Sequence, residues 1–242
     1  MNSTKIKEKS LYLAAWFVHL FSALGILCGF QACVAIAQAQ WMTSLFWLLL
    51  ALIIDAVDGT FARLFRVKDR IPNIDGKMLD YVIDFVNFVF LPAFFIYSAI
   101  DLPEQYKNGL ICLIFLASCY HYANLKAVYK DQYFVGFPAF WNLIAFYLFI
   151  TELSSFWNSI VIVIISTLHF IPIKVIYLSR MFKSNIYAIM LAGIWAASTL
   201  MTIINYPTEN FIWAELSLTI AVLIFIFSNI SMPLRKDKNK NA

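Results

Sequence analysis

The sequence predicts an all-α polytopic membrane protein, a bundle of about eight transmembrane helices. Three observations carry that prediction. Of the 242 residues, 62% are hydrophobic and 13% charged, with a mean hydropathy of +0.77, whereas a soluble domain is about 45–50% apolar and about 25% charged. The apolar residues form runs close to the ~20 residues a helix needs to cross a bilayer. The basic residues gather in alternate joints between those runs. A soluble enzyme, a disordered chain, a collagen and a disulfide scaffold are all excluded. The net charge of +4 reads as membrane orientation and not as nucleic-acid binding, because Lys and Arg form no stripe.

The runs, in chain order, are Leu11–Ala37, Trp41–Phe65, Met78–Ile100, Leu110–Ala123, Phe134–Leu153, Phe156–Leu178, Ile186–Ile204 and Phe211–Ile230. The fourth is short for a full crossing, and is either extended on one side or partly re-entrant. Lys5, Lys7 and Lys9 before the first run, with Ala35 and Ala37 at its end, faintly resemble a signal peptide. The run is too long for an h-region of about 7–15 residues, so it reads as a retained span. Cys28, Cys33, Cys112 and Cys119 all lie inside apolar runs, where a thiol behaves as a small hydrophobe.

Charge tests the partition independently of hydropathy. With both termini on one side, that side holds Lys5, Lys7, Lys9, Arg63, Arg66, Lys68, Arg70, Lys77, Lys126, Lys130, Lys174, Arg180, Lys183, Arg235, Lys236, Lys238 and Lys240. These are 17 of the 18 basic residues, with Lys107 alone opposite. A wrong span count would scramble the asymmetry. The prediction is therefore a multi-pass protein of a bacterial inner membrane with both termini cytoplasmic. No internal repeat or second domain is visible, so residues 1–242 read as one domain.

Six of the 14 acidic residues fall between Asp55 and Asp84, and ionised carboxylates at membrane depth are rare without a partner or a function. Asp55 and Asp58 are spaced i, i+3 on the second span, with Gly59 and Ala62 on the same face. Asp80 and Asp84 are spaced i, i+4 on the third, with Gly76 one turn earlier. Two carboxylates from each helix can converge at the cytoplasmic side of the bundle. Four such charges at low dielectric require cations, and the nearby Arg and Lys side chains sit too near the surface to neutralise them. All-oxygen ligands select Mg²⁺ or Mn²⁺, and four carboxylates suit a pair of ions. Gly59, Ala62 and Gly76 clear room for a large group beside the helix backbones, or else permit close helix packing. Arg63 is a planar donor suited to phosphate.

As an ordered set, DAVDGTFAR followed by GKMLDYVID resembles the signature of the CDP-alcohol phosphotransferases, D-x-x-D-G-x-x-A-R then G-x-x-x-D-x-x-x-D. It is met by Asp55, Asp58, Gly59, Ala62, Arg63, Gly76, Asp80 and Asp84. The twelve residues between Arg63 and Gly76, where most of the family has eight, are similar to the bacterial branch that joins choline to CDP-diacylglycerol. So is the segment from Tyr120 to Phe149. The resemblance implies a transferase producing phosphatidylcholine and CMP. Asp55, Asp58, Asp80 and Asp84 would hold two metal ions, Asp84 would also act as general base, and Gly59, Ala62, Arg63 and Gly76 would contact CDP-diacylglycerol. The family also implies a homodimer.

Choline's quaternary ammonium calls for aromatic faces, and Tyr81 and Trp141 are the candidates. His19, His121 and His169 read as packing residues. Two other functions fit less of the sequence. A relative making phosphatidylglycerol phosphate, phosphatidylinositol phosphate or phosphatidylserine fits the motif but not the long spacer, and no cationic pocket for a phosphorylated acceptor is visible. An ion or proton transporter fits the buried acids, but transporters usually show repeated halves.

Overall fold

The computed structural model describes residues 2–124, 128–129, 133–171, 173–176, 186–207 and 211–230. The elements are α1 (Asn2–Ala37), α2 (Trp41–Leu64), the single turn α3 (Val67–Arg70), α4 (Gly76–Asp84), a π-helical turn (Phe85–Phe90) leading without a break into α5 (Leu91–Ala99), and α6 (Glu104–Ala123). After these come β1 (Val128–Tyr129), β2 (Tyr133–Val135), α7 (Trp141–Thr151), α8 (Ser155–Leu168), β3 (Lys174–Ile176), α9 (Ile186–Asn205) and α10 (Ile212–Ile230). Among the described residues, Glu8–Ala37, Trp41–Leu64 and Gly76–Ala99 are long and apolar enough to cross a membrane, and shorter apolar helices follow. The chain is a helical, multi-pass membrane protein.

Two expected spans take a different form. The fifth, Phe134–Leu153, begins as strand, and its helix is only Trp141–Thr151. The sixth, Phe156–Leu178, is helical only as far as Leu168 and resumes as β3. The physical reason is proline. Pro138 and Pro172 stand within those runs, remove a backbone donor and bias the preceding residue away from helix. Hydropathy registers neither effect. Lys126, Lys130, Arg180, Lys183 and the basic residues after Ser231 lie outside the described residues.

The chain divides into two compact units, residues 1–111 with 140–155, and residues 112–139 with 156–242. In the first, α1 packs along α2. Ala15 and Val18 meet Val67 and Ile71, Cys28 meets Ala51 and Ile54, and Ala32 meets Leu48 and Leu91. Aromatic rings in edge-to-face contact tie α5 to α2 through Trp41 and Phe95, 5.9 Å between centroids, and to α7 through Phe95 and Phe149, 5.5 Å.

In the second unit a small antiparallel sheet of order β1-β2-β3 pairs Phe134 with Val128 and Val175. Gly136, just past β2, has φ +94°, and a Cβ there would stand 2.6 Å from the His169 carbonyl oxygen, so only glycine fits. The rings of His121 and His169 meet edge to face at 5.6 Å, both buried, and α9 joins α10 through a 2.7 Å hydroxyl bond between Thr199 and Ser217.

The joint between α2 and α4 sets the site. The Arg70 guanidinium donates to the Phe65 carbonyl at the end of α2, a cation on the negative pole of a helix. Arg66 turns the chain with φ 48°, and Asp75 caps α4, its Oδ1 accepting from the Lys77 and Met78 amides at 3.0 and 3.2 Å. Loss of such a cap costs about 0.5–2 kcal/mol. Asp75→Ala is therefore expected to lower the melting temperature in detergent and Asp75→Ser to restore it; identical melting of all three proteins would show that the cap contributes nothing.

Candidate active site

Reckoned from the joint at about 1.5 Å per residue, Asp58 and Asp80 lie ~9 and ~6 Å along their helices, and Asp55 and Asp84 ~14 and ~12 Å. Two helices running away from a common loop thus bring their acids to two matching depths. The structure places one carboxylate oxygen each of Asp55, Asp80 and Asp84 within 4.8 Å of one another. Asp58, 8% exposed, lines the same cavity, beside the Ser22 hydroxyl from which it accepts a hydrogen bond.

The cavity is walled by three helices. Residues of α1 (Ser22, Gly25), α2 (Ala51, Ile54, Asp55, Asp58) and the α4 segment with its π-helical turn (Asp80, Ile83, Asp84, Asn87, Phe88) face it. No Lys, Arg or His is among them. Its polar groups are four carboxylates, one hydroxyl and one amide, and Asp55 and Asp84 stand at hydrogen-bonding distance of each other. Two carboxyls so close need a proton or a cation between them. The donor set is all oxygen and, apart from Arg63 acting on Asp58 from outside the lining, meets no compensating cation among the described residues, which fits hard divalent ions of the Mg²⁺ and Mn²⁺ type.

The other signature residues have separate placements. A Cβ on Gly59 would meet only the Arg63 guanidinium at 3.4 Å, and one on Gly76 only the His19 ring at 3.5 Å. Gly59 meets only a side chain of its own helix, so space is open beside it, whereas Gly76 faces the His19 ring of α1 at ordinary van der Waals distance, so the two readings of these small residues divide between them. Ala62 packs against the Ala15, Val18, Val67 and Ile71 cluster. Arg63 is exposed, its Nη2 donating to Thr60 Oγ1 at 3.2 Å. Tyr81 is exposed, Trp141 is fully buried, and neither lines the cavity.

Seven residues of the wall were not singled out from the sequence: Ser22, Gly25, Ala51, Ile54, Ile83, Asn87 and Phe88. Asn87 was detectable. It continues the Asp80 and Asp84 stripe at i+7 and i+3, and it is a lone amide in an apolar run. The α1 residues carry no such signal, because their part in the site depends on how α1 lies against α2 and α4.

A family model for CDP-alcohol phosphatidyltransferases matches residues 16–171. The chain is 35% identical over 214 residues to a phosphatidylcholine synthase of Legionella pneumophila, covering 86% of this chain and 84% of that one. With the phosphatidylcholine synthase of Pseudomonas aeruginosa the identity is 34% over 195 residues, 81% and 82% of the two chains. With that of Borreliella burgdorferi it is 38% over 168 residues, 69% and 72%. A carboxylate cluster formed by the two helices of the signature, a family match across residues 16–171 and these likenesses over more than two thirds of each chain agree, and the chain belongs to the CDP-alcohol phosphatidyltransferase family.

Proposed function

We propose that this chain makes phosphatidylcholine, joining choline to CDP-diacylglycerol and releasing CMP, with residues 1–242 acting as one catalytic domain. The observation that carries the chemistry is the meeting of Asp55, Asp80 and Asp84 within 4.8 Å in a cavity shared with Asp58 and free of cationic side chains. The choice of choline rests on the phosphatidylcholine synthases that the chain resembles.

In this reading Asp55, Asp58, Asp80 and Asp84 hold one or two divalent ions, Mn²⁺ or Mg²⁺. Bound there, the ions neutralise the diphosphate of the nucleotide lipid and the charge of the departing CMP. Gly59 leaves room for that diphosphate, and Arg63 reaches its oxygens from the rim of α2. Asp84 takes the proton of the choline hydroxyl. The choline oxygen then bonds to the phosphorus bearing diacylglycerol while the bond from that phosphorus to CMP breaks, so no side-chain nucleophile is required. Of the aromatic residues, Phe88 lines the cavity; Tyr81 and Trp141 serve choline if the site widens toward them.

The site opens to the cytoplasm in this reading, with eight spans and both termini on that side of a bacterial inner membrane, because the joint between α2 and α4 carries Arg66, Lys68 and Arg70. The homodimer that the family implies belongs to the same proposal.

Purified protein given labelled choline, CDP-diacylglycerol and Mn²⁺ is expected to yield lipid-soluble label and CMP, and to stop in excess chelator; full turnover without divalent ions would refute the metal assignment. Asp84→Asn is expected to keep CDP-diacylglycerol binding while losing at least about 10²-fold in kcat, the scale of a lost general base. Asp58→Asn should weaken binding as well as rate. Equal loss of binding in both variants would make Asp84 a metal ligand first.

Gly59→Ala tests the open space directly. The variant should melt like the parent, since its Cβ meets only a flexible guanidinium, yet bind CDP-diacylglycerol about tenfold more weakly, a difference of about 1.4 kcal/mol. Unchanged binding would free that space of any ligand role. For topology, reporter fusions at Asn2 and Ala242 are both expected to read cytoplasmic; opposite readings would require an odd number of spans.

A further inference from the structure

One polar side chain in the cavity wall has no part in the transfer as described. Asn87, 1% exposed, lies one turn beyond Asp84 in the π-helical turn Phe85–Phe90. Its Nδ2 donates to the Gly25 carbonyl of α1 at 3.0 Å, and its Oδ1 is buried without a hydrogen-bond partner. That oxygen lies 2.3 Å from where a Cβ on Gly29 would stand, and a Cβ on Gly25 would come within 3.1 Å of Ile83 Cγ2. The residues on either side of Asp84 along the helix, Ile83 and Asn87, are thus both seated against glycines one turn apart on α1. No other glycines in this unit are so closely approached by side chains of another helix: Gly59 and Gly76 face nothing nearer than 3.4 Å, and Gly109 faces nothing within 4 Å.

A leucine would fill this position with no orphaned acceptor, and an unmade hydrogen bond in a buried amide is costly. The amide supplies what leucine cannot: a directional tie between the helix carrying Asp84 and the backbone of α1. The wide turn around it has a local cause. Pro92 has no N–H to donate, and the Leu91 amide instead reaches back to the Val86 carbonyl, giving the five-residue spacing of a π-turn. That spacing changes the helical register after Asp84, so residues beyond the turn are rotated relative to those before it. The Asn87–Gly25 bond ties this turn to α1 from outside.

We propose that Asn87 is a positioning residue for the transfer step: seated on the Gly25–Gly29 face of α1, it sets the rotation of the helix that carries Asp84, and with it the direction of the Asp84 carboxylate inside the cavity. It acts through Asp84 and rests on the reading of the site given above.

The test is a cycle of Asn87→Ala, Gly29→Ala and the double variant in full-length protein with Mn²⁺, choline and CDP-diacylglycerol. It reads kcat, both KM values, equilibrium binding of CDP-diacylglycerol and the melting temperature. Gly29→Ala keeps every polar group yet places a methyl where Oδ1 lies. Either single variant is expected to lower kcat about tenfold or more, a misplacement effect, with KM for CDP-diacylglycerol and lipid binding within about threefold of the parent. With Asn87 already shortened the added methyl meets only the flexible end of Leu91, its Cδ1 3.1 Å away, which a small shift relieves, so the double variant should be no slower than Asn87→Ala.

Wild-type kcat in Asn87→Ala, additive losses in the double variant, or a loss carried by lipid binding alone would each overturn the proposal. If Asn87→Ala does not accumulate in membranes, Gly29→Ala decides by itself, and unchanged kcat overturns it. Failure of the parent protein to transfer choline would sink the substrate assignment instead; the variants would then be scored on CMP release with whichever alcohol the parent accepts.

Discussion

Four carboxylates gathered in a low-dielectric cavity are the constraint on which the rest of this molecule depends. Left alone, Asp55, Asp58, Asp80 and Asp84 repel one another and oppose the packing of α2 against the α4 segment. The fold answers by supplying rigid walls and little protein cation: among the described residues the lining holds no Lys, Arg or His, and Arg63 acts on Asp58 from outside it. The arrangement makes sense when compensating charge arrives with the substrates. Binding of ions and nucleotide lipid is then coupled to relief of the site's own repulsion.

Around that constraint each helix has a distinct task. α2 and α4 deliver the acids at matching depths because both are counted from one short joint, capped at one end by Arg70 and at the other by Asp75. α1 contributes little chemistry but much geometry. Ser22 reaches Asp58, and the two glycines of the next turns admit Ile83 and Asn87. Small residues therefore do two different jobs in one site: Gly25 and Gly29 bring helices together, while Gly59 holds space open.

That difference shows where sequence reasoning was strong and where it was blind. The membrane class, the family and the acid cluster were all legible, because composition, the order of the motif and helical spacing are local properties. The spacing of Asp55, Asp58, Asp80 and Asp84 already implied convergence. The glycines of α1 were not legible as site residues, since nothing in GALGILCG says what packs on it. Hydropathy likewise overran Pro138 and Pro172 and missed the small sheet, whose pairing of Phe134 with Val128 and Val175 is a contact between distant segments. The π-helical turn was also invisible, as it arises from the hydrogen-bond register before Pro92.

All residues lining the cavity fall between Ser22 and Phe88, and this has a consequence for how the protein is born. Chains are made N-terminus first, at about 5–20 residues per second, so the entire constellation has been synthesised while more than half of the polypeptide is still unmade. The three long helices that carry it can pair as an early unit in the bilayer. Repulsion among the acids then bears on the nascent chain, and divalent ions are able to act as assembly partners seconds before there is a finished enzyme to serve.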